Sequence, residues 1–323
     1  MGWARENIPT LKYGNKIGPE DIAGMVGQPV VGKIFYVDAT NGSDSDDGGT
    51  WSSAFKTLTK AEDMCTSYNY DVIVIAPSGN SATAEVSSIT WDKSYITVIG
   101  ATPPNHYGMR ARVGFSSTVV SPCITLTGVG NRFINLQLVT TEDINVLLYI
   151  NGLTRSYFSN VHFLGIGNNT TGDDTAARCV VLNESSENYF GDCTFGTSGS
   201  ARSEANALLE QIGATRCARN KYERCLFTTY NDASTPEFVR MNGGYSSEDY
   251  TWFKDCVFSN SIGSSTTMDV GFNMVSGTGN GDVMIDGCAI SGVTEWSSNH
   301  TDFRGFNMPD VTAANGGFME TLS

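Results

Sequence analysis

Three groups of side chains in this sequence have types and spacings that could do chemistry. Asp44, Asp46 and Asp47 lie in the Gly/Ser-rich stretch from Asn41 to Thr50. Alternating carboxylates on such a turn offer hard oxygen ligands to Ca²⁺, although the Glu that closes an EF-hand loop is missing and a solvated turn competes with this reading. Asp173 and Asp174 follow Gly172 as adjacent acids, and paired carboxylates can do acid and base work on a glycosidic bond. A polar loop around them would leave the same pair merely solvated. Tyr245, Tyr250 and Trp252, with Trp296 further on, suit either a stacking platform for sugars or a subunit interface. His106, His162 and His300 are too dispersed for a triad or a zinc site. His162, between Val161 and Phe163, is expected to face outward.

These groups must be held by a scaffold, and the sequence repeats one. Six segments align: Phe133 to Leu138, Phe158 to Phe163, Phe190 to Phe195, Tyr222 to Phe227, Phe253 to Phe258 and Ile285 to Ile290. Their fourth positions are Leu136, Val161, Cys193, Cys225, Cys256 and Cys288, so subtraction gives spacings of 25, 32, 32, 31 and 32. The first, fourth and sixth positions are apolar, and the third is usually Asn or Asp. Alternation marks a strand with one buried face. The Asn or Asp marks a corner, because these residues tolerate left-handed backbone. A second strand precedes each segment, as in Val146 to Gly152 and Cys179 to Ser185. Two strands per period of about 32, with polar inserts such as Gly165 to Ala176, predict a stacked solenoid. A β-sandwich has no reason to repeat one residue class at a fixed offset.

Cysteine usage agrees. The eight cysteines form no paired motif, and Cys193, Cys225, Cys256 and Cys288 should stack inward as small apolar side chains. A ladder spaced by about 4.8 Å per coil spreads thiols that a metal would need to converge.

Charge excludes some partners. Twenty basic against 34 acidic residues give −14, which disfavours nucleic acid and anionic membrane surfaces. No stretch approaches the roughly 18 apolar residues of a membrane span. The opening MGWARENIPT has charges of both signs and no apolar run, so no secretory leader is expected and synthesis in a cytoplasm is.

The segments from Phe35 to Asp63 (FYVDATNGSDSDDGGTWSSAFKTLTKAED), Asp71 to Asn80 (DVIVIAPSGN) and Tyr95 to Thr102 (YITVIGAT) give the chain a further likeness. Over about Lys33 to Gly292 it resembles the pectate-lyase-like superfamily of right-handed parallel β-helices. The resemblance implies an all-β, single-stranded solenoid with a short N-terminal capping helix. Leu58, Ala61, Cys65 and Tyr68 would share one face of that helix, and Thr59 with Glu62 would form its capping box. Three parts are expected: an N-terminal arm for assembly (residues 1–32), the β-helix (33–292) and a C-terminal arm or cap (293–323). Asp173 and Asp174 are similar to the adjacent aspartates of polygalacturonase-type β-helix hydrolases. The Asn-Thr-Asp, Gly-His-Gly and Arg-Ile-Lys parts of that signature are absent from this chain. Arg155, Arg178, Arg202, Arg216, Arg219 and Arg224 are available as a lyase base, but none stands in a matching motif. Arg224, at a corner, should point outward.

The resulting expectation is a structural or attachment component of a virus particle, a phage decoration, fibre or spike subunit located in the virion. It would be a homotrimer, meet other virion proteins through its N-terminal arm and touch cell-surface polysaccharide. No cofactor is expected apart from calcium at Asp44, Asp46 and Asp47. The competing expectation is a tailspike-like enzyme that degrades polysaccharide with lateral-face carboxylates. A secreted carbohydrate lyase or adhesin stands third, because no export leader is expected.

Overall fold

The computed structural model describes residues 32–78, 83–105, 107, 111–261, 266–275, 281–299 and 301–307. Among these the strands form three all-parallel sheets of ten, eight and eight strands. Each coil runs through sheet C, then A, then B. The coil Ile124–Leu126, Arg132–Ile134 and Leu136–Thr140 is typical. Every strand pairs with its counterpart one coil away, as Phe158 does with Phe133 and Phe190. This is the expected right-handed parallel β-helix, the sense that parallel crossovers take.

One residue turns the chain from sheet A to sheet B. Asn135, Asn160, Asp192, Arg224, Asp255 and Gly287 occupy it with φ of 59°, 52°, 54°, 51°, 52° and 60°. The repeated Asn or Asp of the sequence is therefore a left-handed corner, which these residues enter at low cost. Asn160 also donates its amide to Asn135 Oδ1 at 2.7 Å, linking successive corners.

The interior follows from alternation on each side of that corner. Phe133, Phe158, Phe190, Tyr222 and Phe253 stack along sheet A with centroids 5.1, 4.7, 4.9 and 4.5 Å apart. Phe163, Phe195, Phe227 and Phe258 stack likewise along sheet B. Between them the four cysteines form the expected buried ladder, each thiol donating to a carbonyl of the previous coil, such as Cys225 to Phe190 O at 3.3 Å. Each buried ring contributes about 2–3 kcal/mol by area, with a further ~1 kcal/mol from stacking.

A polar ladder at the corner between sheets C and A carries no pattern that the repeat made visible. Asn131, Asn188 and Asn220 are fully buried. Asn131 accepts from Ile96 N at 2.9 Å, Asn188 from Ser156 N at 2.9 Å and Asn220 from Asn188 N at 3.0 Å. They satisfy backbone donors that a five-residue turn leaves without a strand partner.

Helix α1 (Leu58–Met64) closes the core at the first coil with Leu58, Ala61 and the following Cys65. Its N-cap is Thr57, which accepts from Lys60 N, and not the expected Thr59. Thr59 instead donates to the buried Glu85, and Glu62 turns to Lys93 N. Two acids from other segments, Asp44 and Glu85, already cover this helix start, so a local capping box is unnecessary. Tyr68 leaves the helical face altogether and is 67% exposed. The solenoid also passes residue 292: Val293–Ser297 pairs with sheet C and Phe303–Phe306 with sheet A. The glycine-rich look of this region hid those strands. Residues 1–31 and 308–323, the bulk of the two expected arms, lie outside the described residues.

Candidate functional site

The turn that leads into sheet A, from helix α1 on the first coil and from sheet C on later ones, places one left-handed residue at the same point of successive coils. Tyr70, Tyr95, Gly130, Arg155, Glu187 and Arg219 each stand two residues before mutually paired positions on sheet A, and Asp249 follows on the next coil. Their φ values run from 48° to 69°. A left-handed residue other than Gly costs about 1–2 kcal/mol.

From Arg155 onward this cost has a visible return. Arg155 and Arg219 both bind Glu187, and Arg219 also binds Asp249, so charge alternates coil by coil. The two arginines hold Glu187 below the usual carboxylate range. The opposite corner has a matching brace, where Arg224 grips Asp192 with both ends of its guanidinium at 2.8 and 2.9 Å. Arg224 does point outward, but its acid is in its own chain. Single exposed pairs are worth about 0–1 kcal/mol, and a connected network more.

The outer faces of the sheets are joined in the same way. On sheet C, Arg178 binds Glu210 of the next coil at 2.6 Å, and Arg240 binds Glu237 of its own strand at 2.8 Å. Asn242 donates to the other oxygen of Glu210 at 3.0 Å, and Asn273 donates at 2.6 Å to Glu237 Oε1, which it shares with Arg240. On sheet A a column runs Arg132, Tyr157, Tyr189, Lys221, Trp252. Tyr157 and Tyr189 stack at 5.1 Å, Arg132 lies 5.4 Å from Tyr157, and Lys221 lies 5.8 and 4.8 Å from Tyr189 and Trp252. Each ring face is thus covered by the neighbour on the next coil. On sheet B, Arg112 donates to Gln137, whose amide meets His162 Nδ1, while His162 Nε2 meets Gly196 O at 2.9 Å. His162 leaves the interior as expected, yet it is buried, because Tyr107 and the segment around Gly196 cover it.

The residues singled out in the sequence do not converge. Asp44 accepts from Lys56 N, Thr57 N and the Thr57 hydroxyl, which commits both oxygens to the start of α1. Asp47 accepts from Gly49 N and Ser53. Among the described residues no three His, Cys, Asp or Glu side chains are grouped to hold a metal ion. Asp173 and Asp174 sit at the end of the short helix α2 (Asn169–Gly172) in an insert, with Asp173 bonded to Ser203. Tyr250 and Trp252 share a strand of sheet A, and Tyr245 lies in the preceding turn. Trp296 packs against Phe258 and Phe272. The arginines weighed as bases are all engaged: Arg202 is fully buried against Asn206 and Glu237 O, and Arg216 meets Glu248 at 3.3 Å. His106 and His300 lie outside the described residues.

The tyrosines at the first coils are not singled out as a shared site by the sequence, where Tyr68 is expected on the helical face and Tyr70 and Tyr95 have no assigned role. Tyr68, Tyr70 and Tyr95 all have left-handed backbone, with φ of 64°, 57° and 60°. Tyr95 lies 5.4 Å from Tyr68 and 5.7 Å from Tyr70, with ring planes tilted by 42° and 60°. Their close spacing across the turns was the available signal, but nothing in the pattern announced a shared corner.

No protein-family model and no curated protein matches the sequence. Among solved structures the chain is similar to pectate lyase Pel9A at 17% identity and TM-score 0.47, over 86% of this chain and 58% of the lyase. It is similar to pectin methylesterase PemA from Erwinia chrysanthemi at 10% identity and TM-score 0.44, over 84% of this chain and 92% of that one. A rhamnogalacturonan lyase follows at 18% identity and TM-score 0.38, over 88% and 64%. The chain therefore spans less than two thirds of the pectate lyase that it matches.

Proposed function

We propose that this chain is a non-catalytic structural and attachment subunit, with a virus particle as its setting and a homotrimer as its assembled form. One observation carries the structural part: charged groups on the outer faces are spent inside the chain. Glu187, Asp192 and Glu210 are held by cations of the neighbouring coil, and Glu223 and Glu237 by a cation of their own strand. A general acid or base needs a carboxyl that can gain or release a proton at the substrate, and a carboxylate braced by a guanidinium is kept as an acceptor. The braces suit a rigid body that presents its ends and corners to partners. The virus particle and the trimer draw on the β-helix resemblance and on the assembly role expected of the N-terminal arm, by analogy of fold.

The second reading, a polysaccharide-degrading enzyme, has one observation in its favour. Glu210 and Glu237 project from neighbouring strands of sheet C on the same outer face. Incubating the whole protein with bacterial surface polysaccharides and counting new reducing ends separates the two. The structural reading expects none. Chain cleavage that disappears in Glu210→Gln or Glu237→Gln would establish the enzyme instead. Light scattering that finds one chain, not three, would remove the trimer, and absence of the chain from purified particles would remove the virion.

A further inference from the structure

We infer that Tyr68, Tyr70 and Tyr95 form a binding site for an uncharged sugar ring of a surface glycan. The site rests on the attachment reading for its choice of ligand and on its own geometry for its existence.

The geometry is built rather than incidental. Asp71 is fully buried, and its carboxylate accepts from Lys33 N at 2.6 Å, Thr66 N at 2.8 Å and the Asn69 amide at 2.6 Å. These bonds close the Thr66–Tyr70 turn. Tyr68 N donates to Ser94 O at 3.0 Å, tying that turn to the next coil. Gly130 then makes room for Tyr95: a Cβ there would stand 2.8 Å from the tyrosine ring, and its φ is 69°. Three bulky side chains are thereby held in a backbone region that bulky residues avoid. Such outliers concentrate where a ligand is met.

Folding draws little return from this strain. Tyr68 is 67% exposed and Tyr70 39% exposed, so these two rings add little to the core, while Tyr95 is half-buried between them and Gly130. At tilts of 42° and 60° no two of the rings stack in parallel, and Tyr68 and Tyr70 keep much of their surface open to solvent. The column on sheet A, by contrast, has its faces filled. Open tyrosine faces beside uncharged polar groups fit the apolar face and hydroxyls of a sugar. The same turn carries the hydroxyls of Thr66 and Ser67, and Ser67 Oγ accepts from Ser94 N and keeps its own proton to donate. A polyanion is disfavoured by the net charge of −14. Three rings cover about 450–750 Å², below the ~800 Å² per side of a stable protein interface.

The test uses the whole protein on a printed array of charged and uncharged bacterial surface oligosaccharides, with Tyr68→Gly and Tyr95→Gly as variants. The wild type should bind at least one uncharged glycan, and each variant should lose roughly tenfold or more of that affinity. Glycine takes the left-handed corner freely, so both variants should melt at or above the wild-type temperature. Variants that melt lower would make the rings structural and overturn the site. So would retained binding, a preference for charged glycans, a wild type that binds nothing, or a change in self-association on substitution. Binding without cleavage supports both proposals. Binding with cleavage removes the non-catalytic reading and leaves the site. Neither binding nor cleavage removes the site and leaves that reading.

Discussion

The corner in front of sheet A can be compared with itself, first coils against central coils. The backbone is left-handed in both, but the side chains are Tyr70 and Tyr95 at one end and Arg155, Glu187, Arg219 and Asp249 further on. In the central coils every strained residue reaches the coil above or below it through an ion pair. In the first coils the strained side chains are uncharged rings, Tyr70 exposed and Tyr95 half-buried against it. Equal strain with unequal internal return separates a part that serves the fold from a part that serves something outside it.

The largest effect should be the one that the two regions share. Asn131 and Asn188 hold buried backbone donors at the same corner, so Asn131→Ala and Asn188→Ala should each cost about 3 kcal/mol in urea unfolding. If Asn131→Ala were tolerated, the first coils would have a looser interior, and the comparison would rest on order and not on function.

Next in size is Glu62, behind the first coils. Burial pushes its carboxyl up to about 7 from an ordinary 4.5, against the pull of Lys93. A folded-state value above the unfolded one favours the fold fully below pH 4.5, and the advantage fades as pH rises through 7. Glu62→Gln should therefore stabilise the protein by about 2 kcal/mol at pH 8 and by nothing near pH 4. Equal stability of the two proteins at pH 8 would show that Glu62 is solvated and that the first coils are open beneath the tyrosines. The smallest expected change is Glu187→Lys, which puts three cations on consecutive coils and should lower stability by about 1 kcal/mol. The loss should shrink in high salt. No loss at low salt would mean that the central corner is not a brace.

Much of the fold was legible because one constraint repeats. The residue between sheets A and B must be left-handed, and Asn135, Asn160, Asp192 and Asp255 advertise it by type. The rings and thiols beside it are apolar in register. The corner in front of sheet A is equally regular in space, yet its residues are Tyr, Gly, Arg, Glu and Asp, and no propensity unites them. Its regularity lies in the spacing to the next strand. Trp252 stands out by residue type as a stacking candidate, whereas its column partners Arg132, Tyr157, Tyr189 and Lys221 do not, although each directly precedes the first residue of an aligned segment. His162 was read correctly for direction and not for burial, since its cover comes from Tyr107 and Gly196, distant in sequence.

The one-residue corner between sheets A and B also bears on how such a chain can change over generations. Because each coil closes with the same short turn and pairs only with its two neighbours, duplicating about 32 residues would insert a whole coil and lengthen the molecule by about 4.8 Å without disturbing either end. The ten strands of sheet A make nine such steps, a reach of about 43 Å. Distance between the two ends of this protein is thus a quantity that can be edited in whole units.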